Sequence, residues 1–267
     1  MGATLVQRLQ VQLPHALVYS WRARQPIQGG LEGSLRRLIR AALGPAWLEK
    51  QLPEDMGRAT CLELLGPELS TELWPGVASA LGWLTHTASE VRSRAAAPGA
   101  LRSLAMRAAG ELLAARARHQ PLCFILDDAH YAEETVLDAL EYATRAGTHH
   151  PLWVCVLARS GFARSRPSSG TRAEHHRRLE LAPLSLASAM ELCRQHLHPA
   201  ENIPAEALAR LAHHAQRVPL LIVELMRGLK RQGLVRQHTS GGSWYRPRTS
   251  WTGFRSCTWW SGWWSAS

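Results

Sequence analysis

The sequence predicts an α/β protein in which a parallel-sheet core is followed by an all-helical lid. Short apolar runs with the composition of buried strands alternate with helical patterns up to about residue 182, and only helical patterns follow. Helices alternating with strands are typical of a parallel sheet, and a later run of helices indicates a separate helical layer. The 267 residues are enough for one large domain or two modest ones.

The amino-terminal part predicts one strand and several interrupted helices. Residues 4–13 alternate loosely between apolar and polar, and residues 16–19 form an apolar run that predicts a strand. Residues 34–43 predict a helix after the turn at Gly29 and Gly30. Residues 45–100 are helical in tendency, with breaks expected at Pro53, Gly66, Pro67, Pro75, Pro98 and Gly99.

The middle of the chain predicts two core strands. A helical pattern at residues 101–119 precedes the apolar run 122–126, which ends in Asp127 and Asp128. A helix is expected at 133–145, ended by Gly147. A second apolar strand at 152–157 is followed closely by Arg159, and the polar, basic stretch 162–178 predicts a loop.

The last part predicts a helical lid. Residues 179–181 predict a third short strand, and Ser185 is expected to cap a helix that runs to about residue 198. Further helices are expected at 205–216 and 219–231, the latter ended by Gly233. The predicted domains are an α/β core at 1–182 with a helical insertion at about 45–100, a lid at 183–236 and a tail at 237–267.

Charge and cysteine content narrow the class of protein. The formal charge of +10 comes mostly from arginine, without an aromatic-interleaved basic stripe or zinc-finger spacing, so we expect no direct nucleic-acid partner. The five scattered cysteines indicate buried thiols in a reducing compartment, and we expect a cytoplasmic protein. We expect neither a signal peptide nor a membrane span, because no apolar run approaches about 18 residues.

Asp127 and Asp128 are the candidate catalytic acids. A buried parallel strand delivers its last residues to the carboxyl edge of the sheet, where α/β proteins bind ligands. In nucleotide-hydrolysing proteins the first acid helps to hold Mg²⁺ and the second orients the attacking water. The alternative is a core strand that ends in a solvated turn. The phosphate-binding motif Gly-x-x-x-x-Gly-Lys-Ser/Thr is absent from these residues, and the two lysines, Lys50 and Lys230, follow no such glycine pattern.

Several segments in order resemble a known family. Residues 124–134, Phe-Ile-Leu-Asp-Asp-Ala-His-Tyr-Ala-Glu-Glu, are similar to the Asp-Asp-Ala-His-Trp-Ala-Asp signature of ATPases in the signal-transduction class of the AAA+ superfamily. Residues 152–159, 179–192, 215–225 and 233–235 resemble that family's next strand, lid entry, lid helix and lid ending. The resemblance covers about 101–236 and implies a partial P-loop NTPase-like core.

The resemblance implies a role for four residues. Asp127 would hold Mg²⁺, Asp128 would orient water, Arg159 would act as a sensor near the γ-phosphate, and Pro219 would pack near the adenine. The alternatives are a solvated strand end for Arg159 and an ordinary first helical position for Pro219. Arg217 stands where the family has a glycine, which puts the adenine contact in doubt.

The resemblance also implies a function and its partners. Family members bind ATP and Mg²⁺ beside kinase, cyclase or helix-turn-helix domains of bacterial regulators, so the expected partners are proteins or fused signalling domains. Residues 4–13 would correspond to the end of the helix after the phosphate loop. We therefore expect a module that lacks its first strand and loop and is inactive by itself. The alternative is a non-enzymatic scaffold; a DNA-binding regulator would need a helix-turn-helix, which the sequence does not indicate.

The carboxyl-terminal stretch departs in composition from the rest. Six of the eleven tryptophans lie between Trp244 and Ser267, separated by serine, threonine and glycine without a helix or strand period. Exposed aromatic rings of this density are unusual in a folded domain. The stretch predicts a disordered tail of out-of-frame origin, and the alternative is an aromatic docking tail.

Overall fold

The structure is a computed structural model, and the residues it describes are 2–24, 33–50, 52–83, 99–145, 150–201, 203–232, 235–237 and 243–245. The chain divides into two compact units, Met1–Arg178 and Leu179–Ser267. Each unit has its own cluster of buried apolar side chains. The units are therefore described separately below.

The first unit contains a three-stranded parallel sheet in the order β1–β2–β3. The strands are Leu17–Arg22 (β1), Leu122–Asp127 (β2) and Leu152–Val156 (β3). The central strand β2 is buried at every residue before Asp127, which explains its continuous apolar run. Arg22 pairs in register with Asp127, so both strands end at the same edge. The predicted α/β class with a parallel sheet is confirmed.

Helices surround this sheet and supply most of the first core. The helix Ala100–His119 (α6) is formed largely by alanine, leucine and arginine, which are strong helix formers, and it buries its apolar residues against the core. The described helices are Gly2–Gln12 (α1), Gly33–Leu43 (α2), Pro45–Glu49 (α3), Glu54–Leu65 (α4), Pro67–Leu81 (α5), Ala100–His119 (α6), Glu134–Ala143 (α7) and Phe162–Ser165 (α8), with a 3₁₀ turn at Ala129–Tyr131.

Pro75 does not break a helix, contrary to the prediction from sequence. It lies buried inside α5, which continues to Leu81. A proline inside a helix costs about 3 kcal/mol because it removes one hydrogen bond and crowds the preceding turn. Here the neighbours Leu73, Trp74 and Val77 are almost completely buried, and their burial offsets that cost.

The second unit is built mainly from α9 (Leu186–Leu197), α10 (Ala205–His214) and α11 (Pro219–Arg231). As expected, Ser185 caps α9, and its hydroxyl accepts a hydrogen bond from the Ser188 amide at 3.1 Å. Three helices pack around a core of buried apolar residues, which are Ala189, Cys193, Leu197, Ala200, Leu208, Leu211, Ala212, Ala215, Ile222, Met226 and Leu229.

The second unit is not all-helical, which corrects the prediction. It contains a small sheet of Ala200–Glu201 (β4), Val235–Gln237 (β5) and Ser243–Tyr245 (β6) in the order β4–β6–β5. β6, like Gln237 at the end of β5, lies within the predicted tail at 237–267. Strands this short show no sequence period, and they form only because distant residues pair.

Three further expectations have different outcomes. Leu179 and Leu181 are 68% and 74% exposed and pair with no described strand, so the predicted third strand is absent there. An isolated extended segment has no neighbour to satisfy its backbone groups and is not stable as a strand. The predicted helix ends at Gly147 and Gly233, and the tail after Tyr245, lie outside the described residues.

Candidate functional site

The carboxyl edge of the first sheet brings the two predicted acids beside groups from β1. The Asp127 carbonyl accepts a hydrogen bond from the Ala23 amide at 2.8 Å, which joins the ends of the two strands. The Asp127 Oδ1 accepts a hydrogen bond from the Asp128 amide at 3.0 Å. One oxygen of the Asp127 carboxylate is thus used to shape the turn, and Oδ2 remains for another partner.

Asp128 is held by an arginine at the end of β1. The Arg22 Nε donates to the Asp128 Oδ2 at 2.6 Å, and the two side chains are 74% and 26% exposed. The hydrogen bond to Asp128, followed by the charge of Asp128, raises the pKa of Arg22 and keeps its guanidinium charged. Asp128 also has a left-handed backbone, with φ 54° and ψ 38°, which aspartate tolerates better than most residues.

Sequence reasoning did not identify Arg22, although a signal was present. The predicted strand at residues 16–19 extends to Arg22, and parallel strands end at the same edge of a sheet. A basic residue ending the strand beside an acid-tipped strand therefore indicates an ion pair. The missing information was which strands are neighbours.

The amino terminus of α1 also meets the acids. Gly2 is buried, and a Cβ atom added to it would lie 3.2 Å from the Asp127 Oδ2. The first amides of a helix carry a positive partial charge, which favours a carboxylate or another anion. α1 thus begins at the candidate site, whereas the family resemblance implied that residues 4–13 are the end of a helix. No local signal in the sequence predicts this contact.

Arg159 lies on the segment after β3, and its described contact is aromatic. Its guanidinium carbon is 5.8 Å from the centre of the Tyr131 ring, in the 3₁₀ turn that follows Asp128. Arg159 forms no ion pair with Asp127 or Asp128 among the described residues. The structure therefore brings Arg159 to a neighbour of the acids but not to the acids themselves.

His130 is an unusual feature of the same turn. Both of its ring nitrogens are buried, and neither has a hydrogen-bond partner in the described structure. Its ring lies 4.1 Å from the Tyr131 ring, measured between centres. Buried polar atoms without partners are rare because each lost hydrogen bond costs about 1–3 kcal/mol. His130 is a second residue of this turn that sequence reasoning did not assign to the site.

Pro219 belongs to the second unit, where it is the first residue of α11. This matches the ordinary helix-start position that the sequence left open. Arg217, two residues earlier, adopts a left-handed backbone with φ 59°. An arginine thus occupies the conformation that a glycine would favour. Two hydrogen bonds of 2.9 Å hold it there: the Arg217 amide donates to the Ala212 carbonyl, and the Arg217 carbonyl accepts from the Leu184 amide.

Pro219 lines a shallow groove in the second unit. The groove has a volume of about 550 Å³, and its lining combines apolar side chains with a few polar ones. The residues that line it are Leu184, Ala187, Ser188, Glu191, Leu192, Gln195 and Pro219. A groove of this composition has room for a flat apolar group.

The acids fit a partial magnesium site. The described residues contain no group of three or more His, Cys, Asp or Glu side chains able to hold a metal. Mg²⁺ usually takes one or two carboxylates and completes its shell with waters and substrate phosphates. Each acid has one carboxylate oxygen held by a hydrogen bond, Oδ1 in Asp127 and Oδ2 in Asp128. Their donor chemistry fits one or two magnesium ligands.

Comparisons with protein-family models, curated proteins and solved structures gave no match. In the described part of the chain, no helix is long and apolar enough to cross a membrane. The function is therefore inferred from the geometry of the carboxyl edge.

Proposed function

We propose that this chain is an ATP-dependent regulatory module of the P-loop NTPase-like type, related to the signal-transduction ATPases, that does not hydrolyse ATP by itself. The observation that carries the proposal is the position of Asp127. It ends the central buried strand of a parallel sheet and faces the amino terminus of α1. An acid and a helix amino terminus at one sheet edge form an environment suited to a magnesium–phosphate group.

Bound Mg-ATP would supply a metal that neutralises the phosphate oxygens. Asp127 would bind the metal through Oδ2, because Oδ1 already accepts the Asp128 amide. The positive end of α1 would favour both the ionised Asp127 and an incoming phosphate. Arg159, on the segment after β3 and 5.8 Å from the centre of the Tyr131 ring, would be the sensor of the γ-phosphate.

Two features explain the expected lack of hydrolysis. Arg22 binds the Asp128 Oδ2 at 2.6 Å, so one of the two oxygens that would orient the attacking water is already engaged. The 267 residues also contain no phosphate-loop motif, whose lysine and backbone amides stabilise the transferring phosphoryl group in nucleotide hydrolases. The chain therefore holds a cation-binding acid without the groups that accelerate the reaction.

Calorimetry of the full chain with Mg-ATP tests the proposal. We expect weak, magnesium-dependent binding that Asp127→Asn reduces about tenfold, or ~1.4 kcal/mol. Glu63→Gln is the matched control, because Glu63 is an exposed carboxylate on α4 of the same unit. Binding that is the same in wild type and Asp127→Asn would refute the assignment of Asp127.

An activity assay tests the second part of the proposal. We expect no ATP turnover above background, because the phosphate-loop groups are absent. A magnesium-dependent turnover that disappears in Asp128→Asn would contradict the proposed lack of hydrolysis.

The Arg22–Asp128 ion pair supports a second candidate, a non-enzymatic scaffold that acts through protein partners or fused signalling domains. Arg22 binds the acid that would orient water, as expected if the α/β core serves to present surfaces to a partner and not to hydrolyse ATP. Complete absence of Mg-ATP binding in the calorimetric experiment, with the chain folded, would favour this candidate.

A further inference from the structure

β3 presents an open edge of the first sheet. It pairs with β2 on one side, and no described strand pairs with its other side. Backbone groups of Leu157 and Pro151 point towards β2, since the Leu157 amide donates to the Leu126 carbonyl and the Pro151 carbonyl accepts from the Leu122 amide. Alternation along a parallel strand then directs the backbone groups of Leu152, Val154 and Val156 outwards.

The side chains of this edge are apolar on both faces. Leu152 and Val154 pack against the first core, while Trp153 and Val156 are 45% and 38% exposed. No residue of Leu152–Val156 carries a charge. Proteins usually protect an edge strand with charged residues, prolines or bulges, because an unpaired edge is a template for another strand. β3 has none of these features.

The other edge of the sheet shows the contrast. β1 contains Ser20 and ends in Arg22, which engages Asp128. Its apolar residues Leu17, Tyr19 and Trp21 are partly buried against the core. β1 thus carries an exposed serine and a charged residue, whereas β3 carries neither, so β3 is the edge that is suited to association.

We propose that β3 is a self-association edge at which a second copy of this chain adds its own β3 in the antiparallel direction. The strand is complementary to itself when two copies pair about Val154. In this register Val154 lies opposite Val154, Leu152 opposite Val156, and Trp153 opposite Cys155 of the second copy. Every pair is apolar, and no like charges meet.

The backbone groups match the same register. The two Val154 residues exchange two hydrogen bonds, and each Val156 amide donates to the Leu152 carbonyl of the other copy. The Leu152 amide, which already donates to the His150 carbonyl at 2.7 Å, is not required. The product is a continuous six-stranded sheet with two-fold symmetry, the commonest symmetry of protein dimers. This inference does not depend on nucleotide binding.

Sedimentation of the full chain over a dilution series tests the proposal. We expect a reversible monomer–dimer equilibrium. Trp153→Lys is expected to raise the dimer dissociation constant about tenfold or more, because the lysine ammonium would be partly desolvated when the second copy pairs with β3. Leu62→Lys is the control, because Leu62 is 51% exposed on α4 and lies outside β3. Unchanged circular dichroism would show that both variants are folded.

A cross-linking experiment tests the register. The residues at 153 and 155 of opposite copies form a non-hydrogen-bonded pair with Cα atoms about 4.5 Å apart, within the range that a disulfide accepts. Under mild oxidation Trp153→Cys is expected to give a covalent dimer through the native Cys155, and adding Cys155→Ser is expected to abolish it.

Three outcomes would overturn the proposal. A chain that remains monomeric at the highest concentration would show that no second copy pairs with the edge of β3. Trp153→Lys would associate as strongly as wild type if another surface drives association. The covalent dimer would survive Cys155→Ser if the strands pair in another register.

Discussion

Substitution of Gly76 by alanine tests the packing of α5 against α6. A Cβ atom at this position would lie 2.7 Å from the Ala105 amide nitrogen and 2.9 Å from the Leu104 carbonyl carbon. These are backbone atoms of α6, so no side-chain rotation can relieve the overlap. Restoring ordinary contact at about 3.4 Å would require α6 to move away by about 0.7 Å.

The size of the effect follows from that displacement. A gap of 0.5–1 Å removes about a quarter to a half of the dispersion attraction across it. The buried neighbours Leu73, Val77 and Ala108 would lose part of their contacts, and such overpacking costs about 1–3 kcal/mol. Alanine returns about 0.5–1 kcal/mol through its higher helix propensity. The net loss lies between about 0 and 2.5 kcal/mol, and its middle value of about 1.2 kcal/mol corresponds to roughly 2–5 °C in Tm for a unit of 178 residues.

Thermal unfolding followed by circular dichroism measures this loss. Gly228→Ala is the control for helix propensity, because Gly228 lies inside α11 with no atom within 4 Å of an added Cβ. We expect Gly228→Ala to raise Tm slightly. The double variant Gly76→Ala with Ala105→Gly should remain destabilised, because the overlap involves backbone atoms. A Gly76→Ala protein as stable as wild type would refute the reasoning.

Three further predictions concern single side chains. His130→Phe is expected to raise Tm, because it removes two buried ring nitrogens that have no hydrogen-bond partner, and each such group costs about 1–3 kcal/mol. A lower Tm would show that these nitrogens do have a partner. Arg217→Gly is expected to stabilise the second unit by about 0.5–1 kcal/mol in denaturant unfolding, because φ is 59°; no gain would mean that the arginine side chain contributes packing. Glu111→Gln is expected to destabilise the first unit at pH 7. Burial raises the pKa of Glu111, but hydrogen bonds from Tyr142 and Arg145 outweigh it and leave the pKa below its usual value. Its stabilising contribution is therefore present above about pH 4.3 and is lost as the pH falls through the lower folded-state pKa, so melting curves of the two proteins should converge at acidic pH.

Local patterns along the chain predicted most of the regular elements. The uncharged run before Asp127 identified the central strand, because a strand covered on both faces needs apolar residues throughout. Ser185 marked the start of α9, because its hydroxyl satisfies a helix amide within three residues. Both signals act over a few residues, so they are present in the sequence itself.

The tertiary structure decided the features that depend on distant residues. Arg22 binds Asp128 across 106 positions, and Gly2 meets Asp127 through the packing of α1. Pro75 remains inside a helix because burial of its neighbours offsets its cost, and Arg217 adopts a left-handed backbone because hydrogen bonds hold it. The sequence by itself determined the central strand and most of the longer helices. Strand neighbours, the partner of each acid and the open edge of β3 required the folded chain, because long-range packing and hydrogen bonding outweigh local preference.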